Sequence, residues 1–434
     1  MFQCSKCDAQ SSKWAGRCSE CGGWGTLKEG NDEKSNDKPK NRLTGKVAEL
    51  VSINQTAPEK AARVAFKSSE VNRVLGGGLV PGSVVLLSGE PGIGKSTLVL
   101  ALANDLANRG LVVYASGEES PEQIAGRAKR LSVLNPNLKI STETGAENLV
   151  ETLEKLKPVA MVVDSIQTTR VLGLDNEAGS PTQIKAAAAT LIEAAKRLNI
   201  PVFLIGQLTK DGSVAGPKML EHLVDVVCSL EGDAHGALRI MRAVKNRYGS
   251  TGETGIFAMT EAGLVDVANP SALLLKDRVA GSTGSVIAAI MEGSRPMFIE
   301  IQALTHPSAF QYPVRKTSGY DLNRLQMILA VLGKRARIQF SSDDVLVNVV
   351  GGVELQDPAA DLAVALALVS SKNDRPLPDK LAAFGEVGLS GELRSVSFSE
   401  RRLKEAQKIG FTQVISPTSN FKTLEAVIAY LKLK

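Results

Sequence analysis

Aromatic residues are scarce in this chain, at 4% of 434 residues, and tryptophan occurs just twice, at Trp14 and Trp24. A core built from aromatic rings is therefore disfavoured. Thirty-nine glycines and Ala-rich runs such as "KAAAAT" point instead to α/β layers. No uninterrupted apolar run approaches the ~20 residues that cross a bilayer, which excludes a spanning helix and a membrane partner. The opening "MFQCSKCDAQ" lacks the charged-then-apolar pattern of a secretion signal, so a cytoplasmic protein is expected. A strong charge of either sign is also missing: the formal net charge is +5, an excess that permits a polyanion partner without demonstrating one. Beyond residue 21 the only cysteine is Cys228, in the apolar stretch "LVDVVCSLEG", where a buried core thiol is expected.

The other four cysteines are crowded at the start. Cys4, Cys7, Cys18 and Cys21 form two C-x2-C pairs separated by ten residues, so two tight turns each offer two thiolates to one tetrahedral ion. In a reducing compartment this spacing favours zinc over two disulfides or a redox dithiol. Four sulfurs fill the coordination shell, so the metal is expected to be structural. The two tryptophans are expected to cover a module too small to own a core. Residues 1–28 form this finger, and the polar, mixed-charge segment 29–60 reads as a flexible linker.

The next stretch, "SVVLLSGEPGIGKSTLVLALANDLA", is an apolar β run, a Gly-rich turn and a helical pattern, the context a phosphate loop requires. Its nine residues are Gly89, Glu90, Pro91, Gly92, Ile93, Gly94, Lys95, Ser96 and Thr97. The glycines let backbone amides turn inward around the phosphates of ATP, Lys95 reaches the β and γ phosphates, and the Ser96 hydroxyl ligates magnesium. Downstream, "VAMVVDSIQT" delivers Asp164 from a strand end to the magnesium shell. "LVVYASGEES" ends in Glu118 and Glu119, either of which can orient the attacking water; spacing alone does not choose between them. Ser120 and Pro121 open the following helix as N-cap and first residue. "IPVFLIGQLTK" ends at Gln207, a γ-phosphate sensor or simply a loop residue. Alternating strands and helices imply a mainly parallel sheet with ligands at the carboxyl ends of its strands.

Three features together, "KWAGRC" within the cysteine module, "SGEPGIGKST" with "ASGEES", and above all "KNRYG" at 245–249, resemble the RadA (Sms) family of bacterial DNA repair proteins over nearly the whole chain. The resemblance implies a RecA-like ATPase over 61–270 and a domain similar to that of Lon protease over 271–434. It assigns Glu118 as the catalytic glutamate and places Lys245 and Arg247 to reach a neighbouring subunit's nucleotide or DNA. On a strand, a Lys and an Arg two apart share a face, and such a pair can stabilise a transferring phosphoryl group. Two positions depart from the family pattern: Tyr248 replaces the usual Phe, and Gln207 replaces His with the residue RecA recombinase carries. In the last domain Ala359 and Glu400 occupy the positions of the protease Ser and Lys, so no peptidase activity is expected. Arg315, Lys316, Lys334, Arg335, Arg337 and Arg394 are candidate DNA contacts there. The family further implies a hexameric ring that translocates on single-stranded DNA and drives branch migration on branched DNA with RecA recombinase. A nucleotide-gated clamp or recombination mediator that does not unwind DNA is the alternative.

Overall fold

The computed structural model describes residues 2–7, 9–29, 63–207, 217–232, 238–419 and 421–433. The segment expected to be a linker falls, apart from residue 29, outside the described residues.

Three short strands, β1 (Phe2–Cys4), β2 (Gln10–Ser11) and β3 (Leu27–Glu29), form a small antiparallel sheet in the order β2-β1-β3. Its interior consists of Cys4, Cys18 and Leu27. The expectation that tryptophans cover this module is wrong: Trp14 and Trp24 are 63% and 77% exposed. The cysteine cluster supplies the interior, so the indoles are not drawn inward.

Nine strands make the central sheet: β4 (Val84–Gly89), β5 (Val112–Ser116), β6 (Leu138–Ser141), β7 (Ala160–Asp164), β8 (Val202–Gln207), β9 (Val226–Glu231), β10 (Leu238–Asn246), β11 (Thr254–Thr260) and β12 (Gly263–Asp266). Their order is β12-β11-β10-β9-β4-β8-β7-β5-β6, with β9 through β6 parallel and β10 to β12 antiparallel. Parallel strands are buried on both faces and read as continuous apolar runs, and all six residues of β4 are buried. Its alternate residues feed two cores. Val85 and Leu87 pack with α1 (Ser69–Leu75), α2 (Lys95–Leu106) and α3 (Pro121–Arg130), whereas Val84 and Leu86 pack with α4 (Ala146–Leu156) and α5 (Pro181–Leu198). Cys228 is buried in the first of these cores, and burial pushes its thiol up to about 12. Ser120 caps α3 as expected, with Gln123 completing a reciprocal capping box. A single turn of helix, α6 (Pro217–Leu220), precedes β9.

After α7 (Pro270–Leu274) come β13 (Ser285–Glu292), β14 (Arg295–Pro307), β15 (Arg315–Ser318), β16 (Asp343–Val349), β17 (Leu381–Ala383), β18 (Glu386–Val387), β19 (Leu393–Arg394) and β20 (Gln413–Ile415). Six of them form a mixed sheet in the order β15-β16-β14-β13-β17-β20, while β18 and β19 pair as a separate hairpin. The accompanying helices are α8 (Leu322–Arg335), α9 (Asp361–Lys372), α10 (Ser399–Ile409) and α11 (Leu424–Tyr430). Helix α9, "DLAVALALVSSK", is apolar on all sides and is buried from Asp361 to Ser370, as a helix of that pattern must be.

The β13–β14 turn docks directly on the central sheet. Gly293 has φ +60°, and a Cβ there would stand 2.1 Å from the Gly252 carbonyl, so only glycine allows this approach. Beside it, Arg295 donates to buried Glu70 at 2.6 Å and to the Ala268 carbonyl at 2.6 Å, while Glu70 also accepts from the Ile256 amide at 2.9 Å. No helix among the described residues is long and apolar enough to cross a membrane.

Candidate active site and metal centre

The strand register gathers the candidate residues at one edge of the central sheet. Gly89 stands opposite Gln207, and Asp164 opposite both Ser116 and Ile205, so the phosphate loop, Asp164, Gln207 and the Gly117–Glu118 turn emerge together at the carboxyl ends of β4, β7, β8 and β5. Gly94 has φ +112°, and a Cβ there would strike Met259 at 2.8 Å, so the turn into α2 depends on glycine. Lys95 is buried, its Nζ donating to the Gly89 and Glu90 carbonyls at 2.9 Å each. Burial lowers its pKa, opposed by the nearby carboxylates of Asp164, Glu118 and Glu90. Ser96 and Thr97 follow in the first turn of α2, half-buried.

The two adjacent glutamates point to different partners. Glu118 is exposed; its carboxylate accepts from the Ser165 hydroxyl and from Gln207 Nε2 at 2.9 and 3.0 Å. Glu119 turns to Arg127 on α3, and its amide donates to Ser116 Oγ at 3.2 Å. Asp164 is buried and accepts from the Tyr114 hydroxyl at 2.6 Å. Burial, reinforced by that carboxylate, raises the Tyr114 phenol well above its ordinary pKa. Sequence reasoning missed Tyr114 and Ser165. The signal for Tyr114 was a hydroxyl inside an otherwise apolar strand, which needs a buried partner.

Lys245 and Arg247 lie at the opposite edge of the sheet. Lys245 pairs across β10 with Val227, and its Nζ donates to the carbonyls of Glu221 and Val224 at 2.6 and 2.9 Å. Arg247, just beyond β10, pairs with Asp225 at 3.0 Å, and Asp225 also binds the Val84 amide at the first residue of β4. Val84 is five residues below Gly89, roughly 16 Å at about 3.3 Å per residue. Both cations therefore face the same 221–225 turn, away from their own phosphate loop. Burial lowers the pKa of Lys245, with Arg247 adding to the effect.

The metal centre brings all four expected cysteines together, their sulfurs lying within 4.8 Å of one another. The spacings Cys4–Cys21 and Cys7–Cys18 are 3.6 and 3.7 Å. A tetrahedral zinc with Zn–S bonds of about 2.3 Å needs sulfurs nearly that far apart, so the donor set fits the ion. No cysteine among the described residues forms a disulfide.

In the last domain Ala359 is buried against Phe298 and Phe384, while Glu400 is exposed at the start of α10. Beside Ala359, Asp357 pairs with buried Arg402 at 2.7 Å and accepts from the Ala359 amide at 3.0 Å. The candidate DNA contacts separate. Arg315 gives its guanidinium to the backbone carbonyls of Val314, Asp343 and Phe340, which occupies it within the fold. Lys316, Lys334 and Arg337 are exposed. Arg335 donates to the Leu389 carbonyl at 3.4 Å and Arg394 pairs with Glu392 at 2.6 Å, so α8 and the β18–β19 hairpin form one basic corner. A cleft of about 920 Å³ runs from Gly89 and Glu90 to the 351–357 segment, where the two sheets meet.

Fold and site together define a RecA-like P-loop ATPase with a four-cysteine zinc-binding module and a C-terminal domain of the ChlI and Lon kind. Family models match in the same order: a rubredoxin metal binding domain at 2–29, an AAA domain at 53–213 and the ChlI subunit of Mg-chelatase at 323–420. The chain is 46% identical over 421 residues to a DNA repair protein RadA of Pseudomonas aeruginosa, covering 97% of this chain and 93% of that one. It is 46% identical over 419 residues to a RadA of Aquifex aeolicus, covering 96% and 93%. The solved RadB recombinase aligns at 23% identity and a TM-score of 0.38, over 47% of this chain and 99% of that one. The chain belongs to the RadA family of DNA repair proteins.

Proposed function

We propose that the protein is a DNA-stimulated ATP hydrolase that works as a homo-oligomeric, hexameric ring, translocating on single-stranded DNA and promoting branch migration in recombinational repair with RecA recombinase. The observation that carries this reading is the division of the site between two sheet edges. Lys95, Asp164, Glu118 and Gln207 converge at one edge, and Lys245 and Arg247 stand at the other, too far to serve the same nucleotide. A neighbouring copy supplies the missing cations, as in a ring whose nucleotides sit between subunits.

In this reading Lys95 exchanges the Gly89 and Glu90 carbonyls for the β and γ phosphates of ATP. Ser96 and Asp164 hold the magnesium ion, Tyr114 fixing the carboxylate. Glu118 orients the attacking water, and Gln207, bonded to it, senses whether the γ phosphate is present. Zinc is structural, since its four cysteines leave no open position. The exposed cations Lys316, Lys334, Arg335 and Arg394 follow the DNA backbone, and Arg315 braces the strand that carries Lys316. Ala359 and Glu400 leave the last domain without peptidase chemistry, so it serves the ring as a scaffold.

The test is steady-state ATP hydrolysis with and without single-stranded DNA, for the wild type and Lys245→Ala. Strong stimulation that the variant loses supports the motor; DNA binding without stimulation supports the clamp. Strand displacement on a forked substrate separates the same two readings.

A further inference from the structure

The zinc module turns both of its indoles outward. Trp14 and Trp24 are the only tryptophans in the chain, and both are largely exposed. Cations are interleaved with them. Lys13 precedes Trp14, and Arg17 holds its guanidinium 6.0 Å from the centre of the Trp24 ring, while its Nε donates to the Gly22 carbonyl at 3.1 Å. Arg17 and Trp24 face each other across a bridge, and the Gly25 amide donates to Gly16 at 2.8 Å, tying the two loops together. Cys18 and Cys21 anchor these loops to the metal centre, so the rings are presented from a fixed base. Neither Lys13 nor Arg17 forms an ion pair among the described residues.

Single exposed apolar residues are ordinary. Two tryptophans alternating with cations that no carboxylate neutralises among the described residues have instead the composition of a platform for unpaired nucleic acid, in which flat rings stack on bases and cations follow phosphates. We propose that Trp14 and Trp24 stack on bases of single-stranded DNA, with Lys13 and Arg17 on the flanking phosphates. This gives the chain a DNA contact separate from its motor, and it rests on the DNA-motor reading above.

The indoles report on themselves, because no other tryptophan contributes to the emission. Full-length, zinc-loaded protein is titrated with an oligothymidylate and with an abasic oligonucleotide of equal length. Tryptophan emission is followed beside the anisotropy of a labelled oligothymidylate. Saturable quenching by the oligothymidylate, much weaker with the abasic strand, is expected. Trp14→Ala and Trp24→Ala each weaken binding roughly tenfold, with zinc content and thermal transition unchanged, and Trp→Phe at either position restores most of the loss. Tight binding by anisotropy with unmoved emission, or equal quenching by both strands, overturns the stacking site and leaves the motor reading standing. No binding in either readout removes both.

Discussion

At the scale of single residues, chemistry is decided by which carboxylate meets which partner. Glu118 and Glu119 are neighbours of identical type, yet one faces Gln207 and Ser165 and the other Arg127. Glu118→Gln is expected to lower kcat by about 100-fold or more while nucleotide binding persists, the usual size of a lost general base. Glu119→Gln retains most turnover, its loss falling on the α3 contact; equal loss in both variants would return the assignment to ambiguity. Lys95→Ala removes the one buried cation of the phosphate loop and is expected to abolish hydrolysis. Near wild-type rates in that variant would sink the ATPase reading.

Among elements, the informative contacts are those that tie a strand or helix to its neighbour. Asp357 and Arg402 join the approach to α9 with α10 through a largely buried ion pair, and Arg402 also donates to the Ala289 carbonyl of β13 at 2.6 Å. Asp357→Ala strands a guanidinium in that interior, at a cost of about 3–5 kcal/mol. Denaturant unfolding should show it, and an unchanged midpoint would mean that water reaches Arg402. Ser120→Ala, by comparison, removes one helix cap and costs about 1 kcal/mol. Lys245→Ala leaves the Glu221 and Val224 carbonyls without their donor, at a cost of about 1–3 kcal/mol that denaturant unfolding should show, and DNA-stimulated turnover is expected to fall further than that loss explains.

For the whole molecule, the question is which parts stand or fall together. The two large sheets share the buried Glu70–Arg295 pair and the close approach at Gly293, so they are expected to unfold in one transition. Arg295→Ala leaves Glu70 buried with Arg73 as its one remaining ion-pair partner among the described residues and should split or broaden that transition in calorimetry. The zinc module has its own small interior and, among the described residues, no helix. Removing zinc with a chelator is expected to abolish its structure while leaving the main transition in place. Loss of the whole transition would show that the module supports the ATPase domain.

The phosphate loop, the cysteine pairs and the strand-end acids were legible in the sequence, because each is a local pattern whose chemistry depends on spacing along the chain. Strand-end placement directed Asp164 to the magnesium shell but left Gln207 either a γ-phosphate sensor or a loop residue; spacing left Glu118 and Glu119 equivalent, and resemblance alone distinguished them. Only the tertiary structure turned Glu118 toward Gln207, since that depends on β5, β7 and β8 lying side by side. It also exposed Trp14 and Trp24, occupied Arg315 with backbone carbonyls, and carried Lys245 and Arg247 to the far edge of the sheet. None of these follows from neighbours in sequence, because each is set by contacts between segments distant along the chain or by what a small module already holds inside it.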